Sequence, residues 1–233
     1  KGGDLLLDKD KTYVYLSTFA KEIDQDVQEG LFEFYRTTKR VTAFKPSQEG
    51  RNLNLDQTYQ LIIDALTNKT STTITLPVAK VLPKIQTSDV NNLGIKELLG
   101  QGISNFARSI PNRIYNINLT ASKINGILIP SGEVFSFNQT IGDITAATGF
   151  KQAYVIKEGR TILDDGGGVC QDSTTLFRAA LNAGLPVVKR TAHAYRVGYY
   201  EQGFPPGLDA TVFYASVDFQ FKNDTGADIL IQA

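Results

Sequence analysis

Apolar residues recur three or four positions apart in four stretches of the chain, which is the spacing of an amphipathic helix. Residues that begin or end helices stand at the edges of these stretches. Asn54 can cap the second, Pro111 suits the first turn of the third, and Gly184 can end the fourth. We therefore predict helices at 18–30, 55–68, 111–126 and 170–184.

Shorter stretches alternate between apolar and polar residues, as half-buried strands do. Polar turns break 31–54 into a pair of strands, and two prolines place the strand predicted at 72–85 near a sheet edge. The second half of the chain has a hairpin at 151–162, with its turn at Glu158 and Gly159. Further strands are predicted at 187–200, 209–223 and 227–233.

A polar stretch without apolar periodicity, residues 87–94, separates two halves that differ in pattern. Such a stretch is typical of a domain boundary. We predict an α+β fold, with a small N-terminal α+β module at 1–87 and a larger α+β domain at 88–233. In the larger domain we expect antiparallel strands to pack on the helix that carries Cys170.

Composition narrows the class of protein. The 233 residues can bury a sizeable core, and 24 basic residues balance 24 acidic ones, so we predict no nucleic-acid partner. No apolar run is long enough to cross a membrane, and no signal peptide is visible. Because the chain starts at Lys1 and contains no methionine, we expect that its natural start was removed, together with any N-terminal membrane anchor.

Cys170 is the only cysteine, and it stands directly after a run of glycines and one valine, at the start of a predicted helix. The amides and dipole of a helix start favour a thiolate. The amides of 168–170 could hold an oxyanion, with help from Gln171, whereas a carboxylate at Asp172 would oppose the thiolate. Glycines also let a ligand approach the main chain. We therefore expect ligand-binding roles for Gly166, Gly167 and Gly168.

Two downstream residues can complete a thiol site. His193, the only histidine, follows the cysteine's helix on a predicted strand and can act as general base and acid. Asp209, at the head of the next strand, can orient the imidazole, and Asp218 is the weaker candidate because it lies further along that strand. Tyr195 shares the strand face of His193 and is expected to line the same pocket.

Other interpretations of these residues stay open. A lone cysteine is most often a small buried apolar residue, and a lone histidine is most often a hydrogen-bonded structural one. A zinc site is a weaker functional alternative, because one cysteine, one histidine and scattered carboxylates show no ligand spacing. The glycines lack the following lysine of a phosphate-binding loop. We predict no metal and no cofactor.

The first half of the chain resembles the peptidoglycan-binding domain that precedes bacterial cell-wall transpeptidases. The matching parts are the first predicted helix, residues 41–66 with a turn at Gly50 and Arg51, and residues 72–81. The resemblance implies an extracytoplasmic protein that faces the cell wall.

The second half resembles the VanW family, which is named after an accessory protein of glycopeptide-resistance clusters. The resemblance implies a cell-envelope-associated domain of undefined biochemistry. The matching segments are 104–117, 125–138, 166–186, 190–197, 207–212 and 218–223.

Residues 168–187 also resemble the transglutaminase-like, papain-related core. In that core a cysteine opens a helix, and a histidine and an aspartate follow on strands, in the order of Cys170, His193 and Asp209. This chain departs from the pattern in two ways. The gap to His193 is shorter, and the aromatic residue that often follows the histidine is displaced to Tyr195.

These observations predict an extracytoplasmic protein that acts on peptidoglycan or a wall-linked peptide. Cys170 would be the nucleophile of a thiol hydrolase or acyl transferase for a wall-peptide amide, with His193 as acid and base and Asp209 as orienting group. The alternative is a non-catalytic protein that binds peptidoglycan or a wall peptide, linked to glycopeptide resistance or envelope maintenance. The sequence leaves open whether the chain is an enzyme.

Overall fold

A computed structural model gives the architecture. It describes residues 7–35, 37, 40–68, 72–157 and 159–233. The chain divides into two compact units. The first consists of Lys1–Phe32 and Phe44–Asn91, and the second of Glu33–Ala43 and Asn92–Ala233.

Helices and strands alternate irregularly along the chain, and every strand pair of known register is antiparallel. The prediction of an α+β fold is therefore confirmed. The helices are α1 (Lys9–Ile23), α2 (Leu55–Asn68), α3 (Thr87–Val90), α4 (Pro111–Ile124), α5 (Phe137–Ile141) and α6 (Val169–Asn182), with a 3₁₀ turn at Ala146–Thr148. The strands are β1 (Leu31–Tyr35), β2 (Arg40–Lys45), β3 (Gly50–Leu53), β4 (Val78–Val81), β5 (Leu128–Ile129), β6 (Val134–Ser136), β7 (Gln152–Lys157), β8 (Arg160–Asp165), β9 (Val187–Lys189), β10 (Gln220–Lys222) and β11 (Ile229–Leu230).

In the first unit, helix α2 has the predicted bounds, and the Asn54 side chain accepts a hydrogen bond from the Gln57 amide at 3.0 Å. The first helix differs from its prediction, because α1 spans Lys9–Ile23 rather than 18–30. After it the chain is extended, and Gln25 and Gln28 form backbone bridges next to β3. The strand predicted at 72–85 shrinks to β4.

The core of the second unit lies between helix α6 and the antiparallel sheet β6–β10–β9. Phe137 and Phe219 are fully buried, and the ring of Phe177 on α6 packs edge-on against Phe219 with 5.7 Å between centroids. Helices α4 and α6 have nearly the predicted bounds. This packing fixes α6 and therefore fixes the position of its first turn, where Cys170 lies.

The predicted hairpin is present as β7 and β8, which pair over their whole length. Its turn contains Gly159, whose positive φ of 72° suits glycine. Glu158, the other predicted turn residue, lies outside the described residues.

The strands predicted at 187–200 and 209–223 are mostly wrong, since only β9 and β10 form. Between them runs an irregular segment, residues 190–209, which we call the site loop. Its carbonyl groups accept hydrogen bonds from arginine side chains instead of from a neighbouring strand. Arg178 donates to Leu208 O at 3.0 Å and Arg190 to Asp209 O at 2.7 Å.

No helix in the described part of the chain is long and apolar enough to cross a bilayer.

Candidate functional site

The three glycines before Cys170 let the start of α6 pack tightly against the rest of the second unit. Gly168 has a φ of +118°, and a Cβ there would lie 2.9 Å from the carbonyl oxygen of Arg113. Gly166 and Gly167 are buried. Close neighbours of these two glycines are Ile144 and Ala153. The close approach that the glycines allow is therefore made by protein atoms, and their predicted contact with a ligand stays a prediction.

Cys170 lies in the first turn of α6, as predicted from its position after the glycines, and its partly buried side chain packs against the hydrophobic core. Its Sγ lies 3.7 Å from Oγ1 of Thr211 and 3.6 Å from the carbonyl oxygen of Val212. The side chain of His193 is also close enough to lower the pKa of the thiol. The structure therefore brings together the two residues that are unique in the chain.

His193 and Asp209 are paired, although neither lies on a strand. Both belong to the site loop, so the predicted strand placement of His193 is wrong. Nδ1 of His193 contacts Oδ2 of Asp209, and the backbone amide of His193 donates to the same oxygen at 3.0 Å. Because Nδ1 faces the carboxylate, Nε2 is the ring nitrogen left for the thiol. The three predicted catalytic residues thus lie together, and His193 interacts with both Cys170 and Asp209.

The pKa values of the thiol and the imidazole move toward each other. Burial raises the pKa of Cys170, but His193, together with Val212 and Thr211, outweighs burial, and the net pKa is lowered. Burial lowers the pKa of His193, but hydrogen bonds and charges of Cys170 and Asp209 outweigh it, and the net pKa is raised. Both shifts favour a thiolate beside an imidazolium, which is the reactive state of a cysteine nucleophile.

Arg190 and Tyr200 hold the side chains of Asp209 and His193 in place. Neither residue was predicted from the sequence. Arg190 lies 3.5 Å from Oδ1 of Asp209 and also donates to its carbonyl oxygen. The Tyr200 ring stacks on the imidazole of His193, with 4.9 Å between centroids. Arg190 therefore fixes the carboxylate that orients the imidazole, and Tyr200 covers one face of the ring.

A second cationic residue, Arg113 on α4, contacts Gln171, the residue after the cysteine. Its guanidinium donates to Oε1 of Gln171 at 2.8 Å and is close enough to Tyr200 to act on the pKa of its hydroxyl. The sequence contained a signal for it, since Arg113 shares the buried stripe of α4 with Ile117 and Ile124. A charged residue in an apolar stripe is uncommon unless it has specific partners.

Asp172 does not oppose the thiolate in the way its sequence position implied. It is 8% exposed, and burial raises the pKa of its carboxyl well above the ordinary value, although the Arg113 charge acts in the opposite direction. Burial thus favours the neutral form of Asp172, which opposes a thiolate at Cys170 less than a carboxylate does.

The predicted oxyanion donors are only partly free. The Val169 amide donates to Gly166 O and the Gln171 amide to Gly168 O. Among the described residues, the amides of Gly168 and Cys170 have no backbone acceptor, and the Gln171 side chain leaves its Nε2 without a partner. These three groups are the predicted donors that could meet a negative oxygen near the thiol.

A cavity of about 230 Å³ adjoins the imidazole on the side of the site loop. His193, Tyr195 and Asp209 line it, but Cys170 does not. The Tyr195 hydroxyl lies 3.0 Å from Oγ1 of Thr161 on β8. Tyr195 therefore shares a cavity with His193, and the residues that line this cavity do not include Cys170.

Asp218 has a different role from Asp209. Its carboxylate accepts hydrogen bonds from the Ser136 hydroxyl at 2.6 Å and the Asn138 amide at 2.9 Å, which secures the start of α5. Within the described ranges, no three acidic, histidine or cysteine side chains gather as metal ligands would.

Two curated bacterial proteins are similar in sequence to this chain. An uncharacterized protein of Bacillus subtilis (strain 168), YoaR, is 38% identical over 160 residues, which are 69% of this chain and 51% of that protein. The vancomycin B-type resistance protein VanW of Enterococcus faecalis (strain ATCC 700802 / V583) is 31% identical over 121 residues, which are 49% of this chain and 42% of that protein. The chain thus spans about half the length of these curated relatives.

No solved structure matches the chain. Residues 112–233 match the model of the family described as VanW like protein. This range contains Arg113, Cys170, His193 and Asp209, so the whole candidate site lies in the matched region. Because the match covers more than half of its length, the chain belongs to the family of VanW-like proteins.

Proposed function

We propose that the second unit is a thiol-dependent hydrolase or acyl transferase that acts on an amide of peptidoglycan or a wall-linked peptide. The observation that carries this proposal is the grouping of Cys170, His193 and Asp209, in which the thiol pKa is lowered and the imidazole pKa is raised. A nucleophile, a base and an orienting carboxylate in this order are the parts that acyl transfer requires.

The geometry supports a two-step reaction. The Cys170 thiolate attacks the amide carbon, and the carbonyl oxygen becomes an oxyanion that the backbone amides of Gly168 and Cys170 can stabilise. The His193 imidazolium then gives its Nε2 proton to the leaving amine, the C–N bond breaks, and a thioester remains. Water or a second amine, deprotonated by neutral His193, attacks the thioester, the C–S bond breaks, and the thiolate returns.

Two observations support a wall peptide as the substrate. The Enterococcus faecalis relative is named as a vancomycin B-type resistance protein, and glycopeptide resistance concerns the cell wall. The first unit resembles a peptidoglycan-binding domain, which agrees with an extracytoplasmic, wall-facing location. We extend both features to this chain as part of the proposal.

Purified peptidoglycan fragments test the reaction directly. We expect the protein to release or join stem peptides, as seen by mass spectrometry of the products, and Cys170→Ala to abolish this. Ser104→Ala is a matched control. It removes a similarly small side-chain group from the same unit, and Ser104 is not one of the three proposed catalytic residues. Both variants should keep the wild-type circular dichroism spectrum. Turnover that persists in Cys170→Ala would rule out the proposed mechanism.

One observation favours a non-catalytic binder as the second candidate. The cavity beside the imidazole is lined by His193 and Asp209 but not by Cys170, whose side chain packs against the hydrophobic core. A binder would retain the same wall fragments in both wild type and Cys170→Ala, and would release no product from either. Equilibrium binding measured beside turnover therefore separates the two functions.

A further inference from the structure

Arg113 is a buried cation whose partners are all neutral. It is 7% exposed. Its guanidinium donates to Oγ of Ser109 and Oε1 of Gln171, both at 2.8 Å, and is close enough to Tyr200 to act on the pKa of its hydroxyl. The ring of Tyr199 lies 4.5 Å from its central carbon.

The charge of Arg113 lacks a close counter-ion. Among the residues that the structure describes, no carboxylate oxygen forms an ion pair with Arg113 within 4.0 Å. Asp172, the nearby buried carboxyl, is biased toward its neutral form by burial. Burying a charge without an opposite one is costly, so an arginine kept in this state indicates a site for an anion.

Gln171 supplies a second, independent indication. Its side chain is 1% exposed, and among the described residues its Nε2 has no hydrogen-bond partner. The orientation of the amide is determined by Arg113, because a guanidinium can only donate and must therefore face Oε1. The side-chain amide of Gln171 thus contacts the guanidinium through Oε1, and its Nε2 is a buried donor without a partner among the described residues. Guanidinium and amide donors side by side match the two oxygens of a carboxylate.

We propose that Arg113 and Nε2 of Gln171 bind a carboxylate of the peptide substrate, next to the amide that Cys170 attacks. The adjacency follows from the chain, since Gln171 is the residue after Cys170, and from Tyr200, which lies near Arg113 and stacks on the His193 ring. The Tyr199 side chain is half exposed and covers the guanidinium, so it must turn aside when the ligand enters. This proposal rests on the proposed function for the role of the thiol.

The single cysteine allows a test that needs no substrate. Iodoacetate and iodoacetamide both alkylate a thiolate by forming a C–S bond and releasing iodide, and they differ only in carrying a carboxylate or a neutral amide. Both rates are proportional to the fraction of Cys170 that is a thiolate, so this fraction cancels when one rate is divided by the other. We expect the folded protein to favour iodoacetate by about tenfold relative to the same cysteine in the urea-unfolded chain, because a charge-assisted hydrogen bond contributes about that factor.

Arg113→Gln should lower the ratio most of the way to the unfolded value, and Arg113→Lys should keep more of the preference. Arg108→Gln is the matched control, because it removes one exposed positive charge from the same unit and should leave the ratio unchanged. His193 also attracts anions, but it remains in every variant. A ratio in Arg113→Gln equal to that of wild type would overturn the proposal. If Arg113→Gln does not fold, Gln171→Leu takes its place.

A second measurement separates this proposal from the proposed function. Calorimetric binding of N-acetylglycine, compared with N-acetylglycinamide, detects the carboxylate site even if the thiol is inert. Binding of the acid alone, lost in Arg113→Gln, supports the site. Equal binding of both probes, or of neither, contradicts it. A folded protein that neither alkylating agent modifies would count against the thiol chemistry, whatever the result of the binding measurement.

Discussion

Arg190 shows how the chemistry of single residues extends beyond the three that the sequence singles out. It contacts Oδ1 of Asp209 and leaves Oδ2 for the imidazole and amide of His193. With its second oxygen held in this way, the carboxylate has one orientation. The imidazole then has one tautomer when neutral, with Nε2 unprotonated and directed at Cys170.

Asp209→Asn should therefore impair the site without unfolding the protein. Without the carboxylate charge the pKa of His193 falls and that of Cys170 rises, so the thiolate forms only at higher pH. We expect turnover of wall fragments to fall by roughly 10²–10⁴-fold. Asp224→Asn, which changes an exposed carboxylate of the same unit, should leave turnover unchanged. Equal turnover in Asp209→Asn and wild type would show that Asp209 does not orient the base.

For single residues, the sequence predicted Cys170 and His193 as catalytic candidates because cysteine and histidine are rare in this chain. The chain has one cysteine and one histidine, so their pairing could be predicted by elimination. Arg113 and Arg190 could not be found in this way, since they belong to 24 basic residues. Their roles depend on burial and on which carbonyls and carboxylates the fold brings near them.

Among the elements, the start of α6 is the one on which the site depends most. The φ of +118° at Gly168 and the approach of its Cα to the Arg113 carbonyl leave no space for a side chain. The sequence predicted this helix and its glycine start correctly, because both are local features. It predicted only residues 201–208 of the site loop as irregular, because alternating residues at 190–200 resemble a strand. In the structure, arginine side chains donate hydrogen bonds to carbonyl groups of this loop instead.

Gly168→Ala should destabilise the protein by about 1–3 kcal/mol, because alanine is strained at this φ and its Cβ would collide with α4. The free energy of unfolding in urea measures this. Gly198→Ala is the matched control, since that position has no positive φ and no atom within 4 Å of an added Cβ, and its change should stay within about 0.5 kcal/mol. Equal stabilities of the two variants would contradict the described helix start.

The division of the whole molecule does not follow the order of the chain. Residues Glu33–Ala43 belong to the second unit, although 48 residues of the first unit, Phe44–Asn91, separate them from the rest of it. Val41 is 3% exposed, and its amide donates to Gly126 O at 3.1 Å. Periodicity within a window cannot reveal such a pairing, because nothing local in the sequence names the distant partner.

Val41→Ala should weaken the second unit and spare the first. We expect a loss on the order of 2 kcal/mol from the truncated buried side chain. Hydrogen exchange followed by mass spectrometry should show faster exchange around 126–129 and unchanged exchange in β3 and β4. Val78→Ala, at a side chain that is 42% exposed, should change neither. Faster exchange confined to β3 and β4 would contradict the division.

The most direct test of the central claim, that Cys170 is a thiolate held by His193, is the pH dependence of its alkylation. The lowered pKa of Cys170 predicts that iodoacetamide reacts with the folded wild type well below the pH at which the unfolded chain reacts. In His193→Ala the imidazole no longer offsets burial, so the profile should move to a pH above that of the unfolded chain. A wild-type profile that coincides with that of His193→Ala would contradict the account.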